Sequence, residues 1–138
     1  MTRETFADAG NWIALLSPDD DLHPSAVRLS EEPGDASLVT TDAVLGEVLA
    51  FFSGTRANSR QAAAGLARDC LANEGVETIP TDRALSLEAL LLYERRPDKG
   101  YSQVECTSFI VMRARGISAA LTPDHHYAQE GFAVLMRR

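Results

Sequence analysis

The sequence predicts an α/β fold, a three-layer α/β/α sandwich around a central, mostly parallel sheet of four to five strands. Two observations carry that expectation. Short apolar runs suited to buried strands alternate with segments of helical period along the chain, and that order implies a parallel sheet covered on both faces. The 138 residues are 45% hydrophobic and 24% charged, which suits one globular domain, 1–138, with a single core. No internal repeat, linker or low-complexity segment interrupts it.

The elements follow in order. "ETFAD" before "WIALL" suggests a short buried strand that turns near Gly10 into a helix, with Asp8 at the turn. "SPDDDLHPSAVRLSEE" opens with acids and helix-start residues, and Pro24 fits a helix only in its first turn. "ASLVTT" reads as a strand, after which Thr41 or Asp42 caps a helix over "AVLGEVLAFF". A polar turn at Gly54 precedes a helix from Ala57 that stops by Gly75, and "VETIP" forms the next strand. The helix "RALSLEALLLYERR" ends at Pro97, and another begins at Ser102. "ISAALT" is a strand, "DHHYAQEG" a short polar helix and "FAVLM" a closing strand.

A net charge of −7 argues against a protein that coats nucleic acid nonspecifically, because phosphate binding draws on clustered Lys and Arg. It does not exclude a nuclease, since a site for a hard divalent ion must itself be acidic. The basic residues are grouped: Arg56 and Arg60; Arg95, Arg96 and Lys99; Arg113 and Arg115; Arg137 and Arg138. Each group reads as a solvated helix face or as part of a phosphate-binding rim. Cys70 and Cys106 lack C-x-x-C spacing and read as buried free thiols. "MTRETFADAGNW" has no basic region followed by an apolar run, and no stretch approaches the roughly 20 apolar residues that span a bilayer. A cytoplasmic protein with no membrane association is expected.

Four acids stand out. Asp8 and Asp124 directly follow strands, at the carboxyl edge where open parallel sheets bind ligands. Glu47 borders an apolar stripe through Leu45, Val48, Leu49 and Phe52, and Glu105 shares a face with Ser108, Phe109 and Met112. Ser102 and Glu105 also fit a capping box, a complete structural account of that glutamate. If the four converge, their repulsion requires a cation or proton, and carboxylates with water suit Mg2+ or Mn2+. Spacing alone leaves both readings open, because acids at helix starts also answer the helix dipole.

The segments "FADAGNWIALL", "VTTDAVLGEVLAFF", "PDKGYSQVECTSFIVMRARGI" and "ALTPDHHYAQEGFAVL" resemble, in order and over essentially the entire chain, the four motif blocks of the PIN-domain family. The resemblance implies a metal-dependent ribonuclease on a central parallel sheet, many members being VapC-type toxins of type II toxin–antitoxin pairs. By that similarity Asp8, Glu47, Glu105 and Asp124 match the metal-binding and catalytic acids, with Asp98 as a secondary candidate. It further implies Mg2+ or Mn2+ as cofactor, an RNA substrate, a cognate antitoxin protein and a homodimer formed by helices of the first half. Two positions depart from the pattern. Ala9 stands where the family usually has Thr or Ser, and Glu105 where it usually has Asp, adding a methylene and a torsion. Those departures keep a second reading in view, a weak or inactive PIN-like domain that serves as a protein- or RNA-binding module.

Other classes fit less well. A receiver-like domain needs an acidic pair before its first helix, and a haloacid-dehalogenase-type phosphatase needs an aspartate where Gly10 stands. There is no G-x-S-x-G, Walker or G-x-G-x-x-G motif. His125 and His126 read as surface residues of a short helix rather than ligands, and His23 as structural or exposed. Trp12, Phe51, Phe52 and Phe109 read as core.

Overall fold

A computed structural model describes residues 3–32 and 36–137; Arg138, from the last basic pair, lies outside them. The described residues form β1 (Arg3–Ala7), α1 (Ala9–Leu16), α2 (His23–Glu31), β2 (Ala36–Thr41), α3 (Asp42–Phe51) and α4 (Ala57–Leu71). They continue with β3 (Val76–Ile79), α5 (Arg83–Arg95), α6 (Gln103–Arg115), β4 (Ala119–Leu121), α7 (His125–Gln129) and β5 (Ala133–Val134). The sheet has five strands in the order β3-β2-β1-β4-β5, and every pairing is parallel.

That order dictates the layers. The chain steps outward from β1 to β2 to β3, then returns to the other side of β1 for β4 and β5. Right-handed crossovers in opposite directions put α1–α4 on one face and α5–α7 on the other. The packing agrees, with α1 against α2, α3 and α4, α3 against α4, and α5 against α6. The direction reverses between β1 and β4, the switch point at which such sheets leave a crevice beyond their carboxyl ends.

Local chemistry sets the element ends that face this crevice. Thr41 caps α3 by accepting from the Val44 N–H at 3.1 Å. Asp42 is therefore free to accept from both the N–H and the hydroxyl of Thr81, at 2.9 and 2.6 Å, which ties the exit of β3 to α3. The buried Thr40 hydroxyl donates to the Ala7 carbonyl at 2.8 Å and holds β2 to the end of β1. At Gly10, an added Cβ would sit 2.8 Å from Pro123 Cδ, so α1 and the loop after β4 approach closely only because this position lacks a side chain.

Phe6, Val39, Val44, Val48, Phe109, Met112 and Tyr127 are buried in the core, and the buried Cys70 and Cys106 are free thiols. Trp12, Phe52 and Phe109 are core as expected, but Phe51 is 58% exposed and Leu49 40% exposed. The correction is geometric: α3 is covered on one side only, and the helical stripe through Val44, Leu45 and Val48 fills that side before reaching either residue. The expected basic rim is also reduced. Arg115 pairs with both Glu4 and Glu77, while Arg96 and Arg113 pair with Glu130, so these guanidiniums answer acids of the fold.

Candidate active site

Asp8 occupies the N-cap position of α1, yet its side chain makes no cap hydrogen bond. Its Oδ2 instead accepts from the Thr122 hydroxyl at 3.1 Å. The same Thr122 oxygen accepts from the Asp124 N–H at 3.1 Å, so one buried threonine aligns two of the acids. Burial pushes the Asp8 carboxyl up, and the Ala9 amide and the Tyr127 and Thr122 hydroxyls beside it offset that in part. The nearby Asp124 charge pushes in the same direction as burial.

Glu47 reaches this cluster from α3. Burial pushes its carboxyl up to about 7, assisted by the charges of Asp8, Glu105 and Asp124. All four predicted acids are therefore within electrostatic reach of one another at the switch point. Glu47 takes part in no hydrogen bond or ion pair among the described residues that would offset this repulsion.

Glu105 does two things at once. Its Oε1 accepts from the Ser102 N–H at 2.9 Å while the Ser102 hydroxyl accepts from the Glu105 N–H at 3.0 Å, a closed capping box. Its Oε2 lies 2.9 Å from His126 Nδ1. Burial raises this carboxyl as well, against the opposing influence of the Ser102 amide and His126, while neighbouring Asp124 raises it further. The choice between cap and site residue is thus not exclusive, since each carboxylate oxygen takes one of the two tasks.

Asp124 caps α7, its Oδ1 accepting from the His126 N–H at 2.9 Å. Asp98 does not join the group. It is exposed in the turn before α6, where its charge acts on Arg96, and it is not among the charges that raise Asp8, Glu47 or Glu105.

Two participants escaped the sequence reading. Thr122 was legible only as the last letter of a strand, and nothing in its spacing announces a bridge between Asp8 and Asp124. His126 read as a surface residue, yet its side chain is 20% exposed, lies against Glu105 and stacks edge-on against Tyr101 at 5.1 Å. His125 is exposed as expected, at 75% of its side chain. His23 is also as expected, its Nδ1 lying 2.7 Å from the Ala14 carbonyl.

The donor set fits a hard divalent cation. Four carboxylates lie within electrostatic reach of one another, burial raises three of them, and neither Lys nor Arg pairs with any of the four among the described residues. The charge that would relieve them must come from outside the chain or as protons.

Comparisons with known proteins identify the family. A model of the PIN domain matches residues 5–131. The chain is 33% identical over 129 residues to the 23S rRNA-specific endonuclease VapC20 from two strains of Mycobacterium tuberculosis, across 92% of this chain and 94% of that protein. The crystal structure of Mycobacterium tuberculosis VapC20, a sarcin-ricin loop cleaving toxin, matches with a TM-score of 0.84 and 28% identity, covering 96% of this chain and 99% of that one. A crystal structure from Pyrobaculum aerophilum matches with a TM-score of 0.60 at 15% identity, over 97% and 90% of the two chains, and shares the fold. The matched span contains Asp8, Glu47, Glu105 and Asp124, and the chain belongs to the PIN domain family.

Proposed function

We propose that this chain, acting as a single domain, is a metal-dependent endoribonuclease that hydrolyses RNA phosphodiester bonds as the toxin of a type II toxin–antitoxin pair. The observation that carries the proposal is the chain of contacts from Asp8 through Thr122, Asp124 and His126 to Glu105 at one sheet edge, with Glu47 near enough that, besides its burial, the charges of the other three acids push its carboxyl up. The 23S rRNA named for the mycobacterial relative makes ribosomal RNA the first substrate to test.

Asp8, Glu105 and Asp124 would hold Mg2+ or Mn2+, with Glu47 at the margin. Such an ion supplies an acidified water and neutralises charge building on the phosphate. The chain's own part is positional. Thr122 donates to Asp8 Oδ2, while the capping box holds the Glu105 arm. Glu47 would take the proton of the attacking water.

A homodimer and a cognate antitoxin belong to the same proposal. Leu49 and Phe51 on α3 and Leu71 on α4 present apolar side chains to solvent in the first half of the chain, which supports a partner there. No helix among the described residues is long and apolar enough to cross a membrane, and action in the cytoplasm is part of the proposal. One observation favours the binding-module reading: both Glu105 oxygens already have partners.

Cleavage of total RNA and of isolated ribosomal RNA in Mg2+, Mn2+ or EDTA separates the two. Metal-dependent cutting that Asp8→Asn reduces by about 100-fold or more, with the thermal transition retained, is the expected result. Undiminished cutting by Asp8→Asn removes the assignment, and RNA binding without cutting by the unaltered protein supports the binding module.

A further inference from the structure

We propose that the turn at Asp124, His125 and His126, completed by Glu105, is a second cation site, overlapping the carboxylate cluster, that selects a borderline transition ion such as Zn2+, and that filling it withdraws two acids from the proposed nuclease centre. The inhibitory half rests on the nuclease reading; the binding half does not.

The donor geometry is the first support. Asp124, His125 and His126 each offer one ligand atom, and these atoms all lie within 4.8 Å of one another. Both histidine Nδ1 atoms are 3.6 Å from Asp124 Oδ1. From another element, Glu105 Oε2 stands 2.9 Å from His126 Nδ1. Four donors at metal distances of about 2.0–2.1 Å, arranged as a tetrahedron, are about 3.3 Å apart. The measured separations straddle that value, so side-chain adjustments of a few tenths of an ångström close three edges of the site.

Donor chemistry supplies the selectivity. Mg2+ prefers oxygen ligands and retains several waters, whereas imidazole favours Zn2+ and its neighbours. Two nitrogens and two carboxylate oxygens are a zinc set, distinct from the all-carboxylate set offered by Asp8, Glu47, Glu105 and Asp124. Access is open, because His125 is largely exposed, while His126 is packed against Tyr101 and cannot swing freely.

The two centres share Glu105 and Asp124. A carboxylate drawn toward the histidines is less available to the cluster around Asp8, so Zn2+ should oppose cleavage supported by Mg2+. Asp8 and Glu47 are not in the zinc set and serve as controls.

The test is calorimetric titration of the full-length protein with Zn2+, for the unaltered chain, His125→Ala, His126→Ala and Asp8→Asn, beside Mg2+-supported RNA cleavage with and without Zn2+. One Zn2+ should bind per chain, at least about 10-fold more weakly after either histidine replacement and within about 2-fold of normal in Asp8→Asn. Zn2+ should inhibit the unaltered protein, and inhibition, taken as a ratio within each variant, should weaken in His125→Ala. His125 is exposed, so this variant tests the site even if His126→Ala fails to fold. Absence of Zn2+ binding, or binding unmoved by His125→Ala, overturns the site. Normal Zn2+ binding without inhibition overturns the competition between centres. Zn2+ binding that depends on His125, in a protein that cuts no RNA with any metal, upholds the site and removes the nuclease reading alone.

Discussion

Replacing Glu47 with Gln should stabilise the metal-free protein at alkaline pH and leave it unchanged in acid. Burial and the charges of Asp8, Glu105 and Asp124 raise the Glu47 carboxyl from 4.5 to about 7 in the folded chain. A raised acid binds more protons folded than unfolded across that interval, so its contribution to stability is retained below about 4.5 and declines as pH rises through 7. The full shift corresponds to about 3 kcal/mol. Glu47 is only half-buried and solvent screens the repulsion, so about 1.5 kcal/mol is the appropriate scale. For a chain of this length that is a gain of about 5 °C in Tm. Thermal unfolding in EDTA at intervals from pH 4 to 8.5 should show the variant and the unaltered protein together at the acid end and separated by that amount above pH 7.5. Saturating Mg2+ should narrow the gap. Equal Tm values at pH 8 would refute the reasoning, because they would mean that the acids do not crowd one another.

Three further outcomes follow from the geometry. Thr122→Val removes the donor to Asp8 and the acceptor of the Asp124 N–H; it should lower stability by about 1–3 kcal/mol in denaturant titration and slow RNA cleavage by about 10-fold. Gly10→Ala would ordinarily favour a helix, but a Cβ 2.8 Å from Pro123 Cδ reverses the sign, and a loss of about 1–2 kcal/mol is expected by the same measurement. Glu105→Asp installs the residue that the family resemblance implies yet shortens the arm that closes the capping box; we expect about 1 kcal/mol less stability and slower cleavage, and faster cleavage would contradict the assignment of that arm.

Much of this was legible in the chain because the signals were local. Thr41 before an apolar helix, Ser102 three residues ahead of Glu105, and Pro24 in the first turn of α2 each name a helix start without help from tertiary structure. Alternating strands and helices placed Asp8 and Asp124 at one sheet edge. What escaped depends on contacts between distant residues. Thr122 bridges Asp8 across 114 positions, and His126 meets Glu105 from another helix. Phe51 continues an apolar run that looks like core, but the face it occupies has no covering layer among the described residues. Arg115 carries no mark of its pairing with Glu4 and Glu77, which sit on two strands that are not adjacent in the sheet.

The capping box at α6 changes the meaning of a glutamate where the family resemblance implies an aspartate. Taken by itself, the longer arm has an additional torsion to immobilise when a ligand arrives, and freezing a glutamate takes up to about 2 kcal/mol of side-chain entropy. In this chain the Ser102 amide holds one oxygen and His126 the other before any ligand is present. The ordering happens during folding, where it is shared with helix initiation, and offsets the freedom that the longer arm would otherwise have to lose. The first turn of α6 and the fourfold acidic crevice are consequently one mechanical unit, and loosening that helix end should be felt as a loss of aim in the site.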